Sequence, residues 1–249
     1  MPQQPGNQSQ HMHQRDRTLV LATGNPAKVR ELNELLEGCG WKVRALSEFT
    51  DDIDIDETGT TLEENAEIKA RFAFETTGLP ALADDTGLEV DALDGRPGVH
   101  SARYAGPQGG AEQNRKKLLE ELAAVTDPAQ RTARFRTVLI YFGPNPEKND
   151  RVHGPDLTAN PDQKRPIPDK EQQQIRRFEG LCEGRIITEE RGTGGFGYDP
   201  IFMPDGYDET FAEMDAALKN SISHRGRALQ NFLKEMASLV TGDIRHRNE

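Results

Sequence analysis

A β-type run that turns at once into a capped helix constrains this chain more than any other feature. In TLVLATGNPAKVRELNELLEGCG (residues 18–40), the apolar run from Thr18 to Ala22 is followed by Val29, Leu32, Leu35 and Leu36 at helical spacing. Asn25 can accept from the first free N–H groups as an N-cap. Pro26 suits the first helical position, where its missing N–H costs nothing, and Gly38 or Gly40 can close the helix. A second β-type run from about Lys42 to Leu46 completes a β-α-β unit, which demands a parallel strand pair with a helix packed on it.

The rest of the chain continues the alternation. Residues 62–75 read as a helix, with Thr60 or Thr61 as cap and Glu63 or Glu64 completing a capping box. ALADD reads as the end of a buried strand, followed by a Gly/Pro-rich loop (residues 94–110) and a helix over 111–124. ARFRTVLIYFG and RRFEGLCEGRIIT read as two paired strands. Between them, residues 144–174 are polar and Pro-rich, the composition of a flexible insertion. GTGGFGYDPIF is a glycine-dense loop running into a short strand. A last helix begins near His224, with Leu229, Phe232, Leu233, Met236, Leu239 and Val240 on its core face. The pattern implies an α/β fold with a mixed sheet: a disordered polar lead over 1–17, then one two-lobed domain over 18–243.

Candidate chemistry sits at the breaks in this pattern. The turn ATGNPAK opens a helix, so its unpaired N–H groups make an anion site to which Lys28 adds a full charge; it matches neither the P-loop nor the GxGxxG pattern. Asp84 and Asp85 close an apolar run, at the strand end where α/β sheets place their ligands. Alternation sends the two side chains to opposite faces, so one is free to stabilise the turn while the other faces a metal, with Glu57 as a second carboxylate. Such a sparse shell suits Mg²⁺, which keeps waters and takes phosphate oxygens. Asn65 and Lys69 share one helix face and could support a phosphate site, or Lys69 could pair with Glu64 or Glu67. Phe196 and Tyr198 offer faces to a base, and Asp199 can accept from a ring N–H. Lys219 precedes a helix start with Ser221 and Ser223 as candidate caps, and His224 and Arg225 project from its first turn. Arg225, a donor only, favours a keto oxygen over an amino group.

Bulk properties trim the alternatives. The formal charge of -11 argues against a nucleic-acid partner, and no apolar run approaches the roughly 20 residues of a membrane span. The first residues lack the apolar core of a signal peptide. Cys39 and Cys182 form no metal or redox spacing and suit a reducing, cytoplasmic setting.

Five blocks taken together, LATGNPAKVREL, DETGTTLEENAEIKA, LADDTGLEVDALDGRPGVHSARYAG, GTGGFGYDPIF and KNSISHRGRAL, resemble the inosine/xanthosine triphosphate pyrophosphatases. These are enzymes that hydrolyse non-standard purine nucleoside triphosphates and so cleanse the nucleotide pool. The blocks keep the family's order and span most of the chain from Thr18 to about Val240. The resemblance implies a two-lobed fold with a long, twisted mixed sheet and flanking helices, and a homodimer. It implies that Thr23, Gly24, Asn25, Pro26, Ala27 and Lys28 hold a triphosphate, that Glu57 and Asp85 bind Mg²⁺, and that Asp85 accepts a proton. Thr86 stands where the bacterial pattern often has Ser. Phe196, Gly197, Tyr198, Asp199, Lys219, His224 and Arg225 fall at substrate-contacting positions. The rival readings are a related pyrophosphatase acting on modified pyrimidine triphosphates and a nucleotide-binding module without catalysis.

Overall fold

The computed structural model describes residues 17–38, 41–51, 53, 55–145, 167 and 169–245. Most of the expected N-terminal lead and of the expected insertion lies outside these residues, as do Cys39 and the side chains of Leu239 and Val240.

The β-α-β opening forms as expected. Strand β1 (Arg17–Leu21) feeds helix α1 (Pro26–Leu36), where Asn25 accepts from the Ala27 N–H, and the chain returns as β2 (Trp41–Ala45), parallel to β1 throughout. Helix α2 (Leu62–Thr77) is capped by the Thr61 side chain and stopped by Gly78, whose positive φ lets its N–H reach back to Phe74. Glu64 completes the cap as expected: its carboxylate accepts from the Thr60 N–H and hydroxyl, while Thr61 Oγ1 accepts from the Glu64 N–H.

The strand carrying the paired aspartates runs further than its apolar stretch suggests. Strand β3 (Ala81–Val90) does not end at Asp84 and Asp85 but continues for five more residues. Its whole length pairs antiparallel with β5 (Thr132–Pro144), which supplies the hydrogen bonds that carry a strand through a charged pair. What does end there is the parallel neighbour: β1 pairs only with Ala81 and Leu82. The two-residue strand β4 (Pro97–Gly98) pairs with Leu88 and Glu89. Among the described residues, the edge of β3 from Ala83 to Gly87 therefore has no strand neighbour.

Helix α3 (Ala111–Glu121) lies between β4 and β5 in the chain. Strand β6 (Gln173–Ile186) pairs antiparallel with β5, and the short β7 (Phe202–Pro204) adds to its end, giving the mixed order β2-β1-β3-β5-β6-β7. Two helices close the chain where one was expected. Asp215 caps α4 (Ala216–Ile222), so Lys219 lies inside a helix instead of ahead of one. The Ser223 hydroxyl accepts from the Gly226 N–H at the start of α5 (His224–Arg245).

Three apolar clusters organise this sheet. Alanines of α2 pack with Phe74 on the face bearing Ala83, Val138 and Ile140. Helices α1 and α5 cover the opposite face, where Leu32, Leu36, Leu229 and Phe232 meet Leu82 and Leu139. The far ends of β3, β5 and β6 bury a third cluster with Leu118, Phe202 and Phe211. The long strands thus run through two lobes, and the aspartates lie where one lobe gives way to the other. Among the described residues, no helix is long and apolar enough to cross a membrane.

Candidate active site

Register decides which way the paired carboxylates point. Asp84 stands opposite Leu139, on the face covered by α1 and α5; Asp85 stands opposite Val138, on the face covered by α2. Each meets its own cations, as alternation along the strand requires.

On the α2 face, the Lys69 ammonium lies 2.7 Å from Asp85 Oδ1 and 2.9 Å from Glu57 Oε1. Lys69 is buried, and its partners are these two carboxylates, not Glu64 or Glu67. Asn65, fully buried, accepts from the Gly59 N–H at 2.8 Å and so ties down the turn that presents Glu57. Beyond Glu57 stands Arg103, 3.5 Å away and partly exposed. Burial would lower the pKa of Lys69, yet Asp85, Asp84 and Glu57 together hold it above its ordinary value. Burial raises that of Asp85 against the pull of Lys69 and Lys28, which makes it a stronger proton acceptor. Glu57 would rise by burial but is held low by Lys69, Lys28 and Arg103.

On the other face, Asp84 Oδ2 takes a salt bridge from Lys28 at 2.9 Å and two longer bonds from the Arg225 guanidinium. Arg225 also donates to Glu31 and, at 3.2 Å, to the Thr86 hydroxyl, which lies 2.7 Å from that of Thr137. Lys219 continues the chain to Asp199 at 2.8 Å, and Asp199 in turn accepts from the Phe196 N–H at 2.7 Å. Glycine is required within this turn: Gly195 has φ +68°, and a Cβ there would run into the Asp199 carboxylate. Burial would raise Asp84, but Lys28, Arg225 and Lys69 hold it well below the usual carboxylate range. Burial also pulls Lys28 down and pushes Asp199 up.

Most of the candidate site residues named from the sequence fall on or beside these two networks. Thr23, Gly24, Asn25 and Pro26 form the turn between β1 and α1; Gly24, Asn25 and Pro26 are exposed, and Thr23 Oγ1 accepts from Asn25. Ala27 and Lys28 continue it into the helix. Phe196 keeps a half-buried ring, with the Lys219 ammonium 5.1 Å and the Arg225 guanidinium 5.5 Å from its centroid. Gly197 follows it at φ +63°. Tyr198 is turned into the core, where its hydroxyl donates to the Ser101 carbonyl. His224 stacks on Phe135. Two charged members of the networks escaped the sequence reading. Glu31 is three residues after Lys28 on one helical face, a spacing that could have found it. Arg103 ends a three-residue 3-10 turn (Ser101–Arg103), too short to carry a periodic signal.

Burial, reinforced by Arg225 and Lys219, drives the pKa of His224 well below its ordinary value. The unfolded chain takes up a proton there near pH 6.5 while the folded chain stays neutral, so folding stability falls as pH drops below that point and is unaffected above it. We expect a urea midpoint lower at pH 5.5 than at pH 7.5, with a slope approaching about 1.4 kcal/mol per pH unit below pH 6.5. His224→Gln should remove that part of the slope, and an unaltered slope would count against the assignment.

The donor set fits a hard divalent cation. Asp85 and Glu57 converge on one point, now held by the Lys69 ammonium, and Asp84 Oδ1 is buried without a partner. Among the described residues no group of three or more His, Cys, Asp or Glu side chains has metal-holding geometry, and Asp85 with Glu57 makes a pair of carboxylates only.

The Ham1 family model matches residues 19–160 and 164–235. The chain belongs to the Ham1 family. A dITP/XTP pyrophosphatase from Desulforamulus reducens is 47% identical over 216 residues, 87% of this chain and 94% of that protein. One of the same name from Thioalkalivibrio sulfidiphilus is 46% identical over 218 residues, covering 88% and 97%. Among solved structures, the HAM1 protein from Coxiella burnetii superimposes with a TM-score of 0.71 at 38% identity, covering 89% of this chain and 99% of that one. Ham1 membership accounts for the fold as well, since this structural neighbour shares nearly the whole chain.

Proposed function

We propose that the protein hydrolyses ITP, dITP, XTP and dXTP to the nucleoside monophosphate and pyrophosphate. The observation that carries this reading is the convergence of Asp85 and Glu57 on Lys69 beside the exposed Thr23–Pro26 turn. It supports a reading in which a proton acceptor, a cation and an anion-binding helix start act together. The names of the relatives supply the substrate class.

In this mechanism the Thr23–Ala27 turn at the start of α1, with Lys28, binds the triphosphate. Lys69 and Arg103 neutralise charge on the side of Glu57. Asp85 orients a water and accepts its proton as the bond between the α- and β-phosphates breaks. Mg²⁺, held by Glu57 and Asp85, would supply charge neutralisation at the phosphate oxygens. At the other end of the substrate, Phe196 stacks on the base, Gly197 and Tyr198 offer backbone groups, and Asp199, Lys219, His224 and Arg225 line the pocket. Lys219 and Arg225 are donors only and in the free protein donate to Asp199, Glu31, Asp84 and Thr86, so a base that takes over a share of these donors must offer an acceptor, as the keto oxygen at position 6 of hypoxanthine or xanthine does. The adenine amino group would be left unpaired there. A homodimer and a cytoplasmic location go with this reading.

Pyrophosphate release from ITP, dITP, XTP, GTP and ATP tests it. We expect rapid release from the first three, at least about 100-fold slower release from ATP, and loss of activity with EDTA that Mg²⁺ restores. Preference for a modified pyrimidine triphosphate, or orthophosphate as the product, would overturn the reading.

A further inference from the structure

Helix α3 stands outside the two charge networks, yet it reaches the base-binding loop. Arg115 is largely buried. Its Nη1 donates to the Gly197 carbonyl at 2.8 Å, and its Nε to Glu190 Oε1 at 2.8 Å. The loop it touches has little else to hold it. Residues 192–197 include four glycines, which leave the unbound loop high conformational entropy. Its other backbone ties are the Phe196 N–H to the Asp199 carboxylate, the Asp199 N–H to the Phe196 carbonyl at 3.2 Å and the Gly194 N–H to the Ala212 carbonyl. The preceding residue of α3, Asn114, binds the backbone of Ser101, Ala102 and Ala105, and the Tyr198 hydroxyl donates to that same Ser101 carbonyl. One turn of α3 therefore fastens both the loop carrying Phe196 and the segment carrying Arg103.

We propose that Arg115 is a positioning residue that sets the pose of the Phe196–Tyr198 turn through the Gly197 carbonyl, and so tunes binding of the purine base without touching the substrate. The proposal rests on the function above in taking that turn as the base site. A guanidinium suits the task because its fixed fork meets a carbonyl and a carboxylate at once. The carbonyl bond is the one that matters: Glu190 is 41% exposed, and ion pairs with such partners contribute little.

The test combines hydrogen–deuterium exchange of the free enzyme with steady-state kinetics on dITP. For Arg115→Ala we expect exchange in residues 194–199 to quicken about 10-fold, the size expected for one charge-assisted hydrogen bond, with other regions unchanged. KM for dITP should rise about 10-fold while kcat stays within about 2-fold, because the base is remote from the bond that breaks. Arg115→Lys, which keeps one donor, should recover part of both effects, and Glu190→Gln should leave KM within about 2-fold. Unchanged exchange in the loop would overturn the proposal, as would faster exchange throughout the chain or local loosening with an unchanged KM. If the wild-type enzyme fails to turn over dITP, the functional reading falls, while the exchange data still show whether Arg115 orders the loop.

Discussion

Asp85→Asn is expected to lower kcat for dITP by about 10³-fold or more while the thermal midpoint moves by only a few degrees. The amide keeps the shape of the carboxylate but cannot take a proton, and it weakens the oxygen pair that would hold a divalent cation. The fold should tolerate the change. Asp85 is 7% exposed on a strand paired along its full length, and Lys69 retains Glu57 as a partner. Pyrophosphate release and circular dichroism on the same preparation separate chemistry from folding. Activity near that of the wild type would remove Asp85 from the proton-accepting role, and a large loss of midpoint would recast it as structural.

Arg225→Ala should have the largest effect on stability. The guanidinium is 1% exposed and stands between Asp84 and Glu31, both buried. Its removal strands Glu31 with Lys219 3.9 Å away and leaves Asp84 to Lys28. Breaking a buried ion pair from one side costs about 3–5 kcal/mol, or about 10 °C of midpoint for a chain of this size. The same substitution should raise KM for ITP and narrow the gap between ITP and ATP. Arg225→Lys separates the two roles: it keeps a charge but cannot bridge both carboxylates. A stable Arg225→Ala protein would refute the structural role, and an unchanged ITP-to-ATP ratio would refute the role in specificity.

Much of this was legible in the sequence, for reasons that can be named. The Asn25 cap, the Thr61 cap and the glycine stop of α2 are local chemistry, and local chemistry survives folding. The opposed directions of Asp84 and Asp85 followed from the period of a strand. What stayed hidden depended on partners distant in sequence. That β3 continues past its aspartates is decided by β5, some fifty residues later. Helix α4 was missed because its short run offers little periodicity, and Asp215 marks its start only once the helix is known to exist. Five ordered blocks pointed to a candidate site without its wiring. That Arg225 spends its donors on Glu31, Asp84 and Thr86, and that Arg115 reaches Gly197, are facts of packing between remote segments.

The placement of Asp84 and Asp85 on opposite sides of one strand has an evolutionary consequence. A single peptide unit joins two sets of side chains that pack against different helices. On the proposed function, substitutions arriving on α4 or α5 would reshape which base is accepted, while α2 and the Glu57 turn keep the carboxylates that act on the phosphates. Drift in substrate preference is thereby uncoupled from loss of activity, so a lineage can explore new damaged nucleotides from a working enzyme at every step.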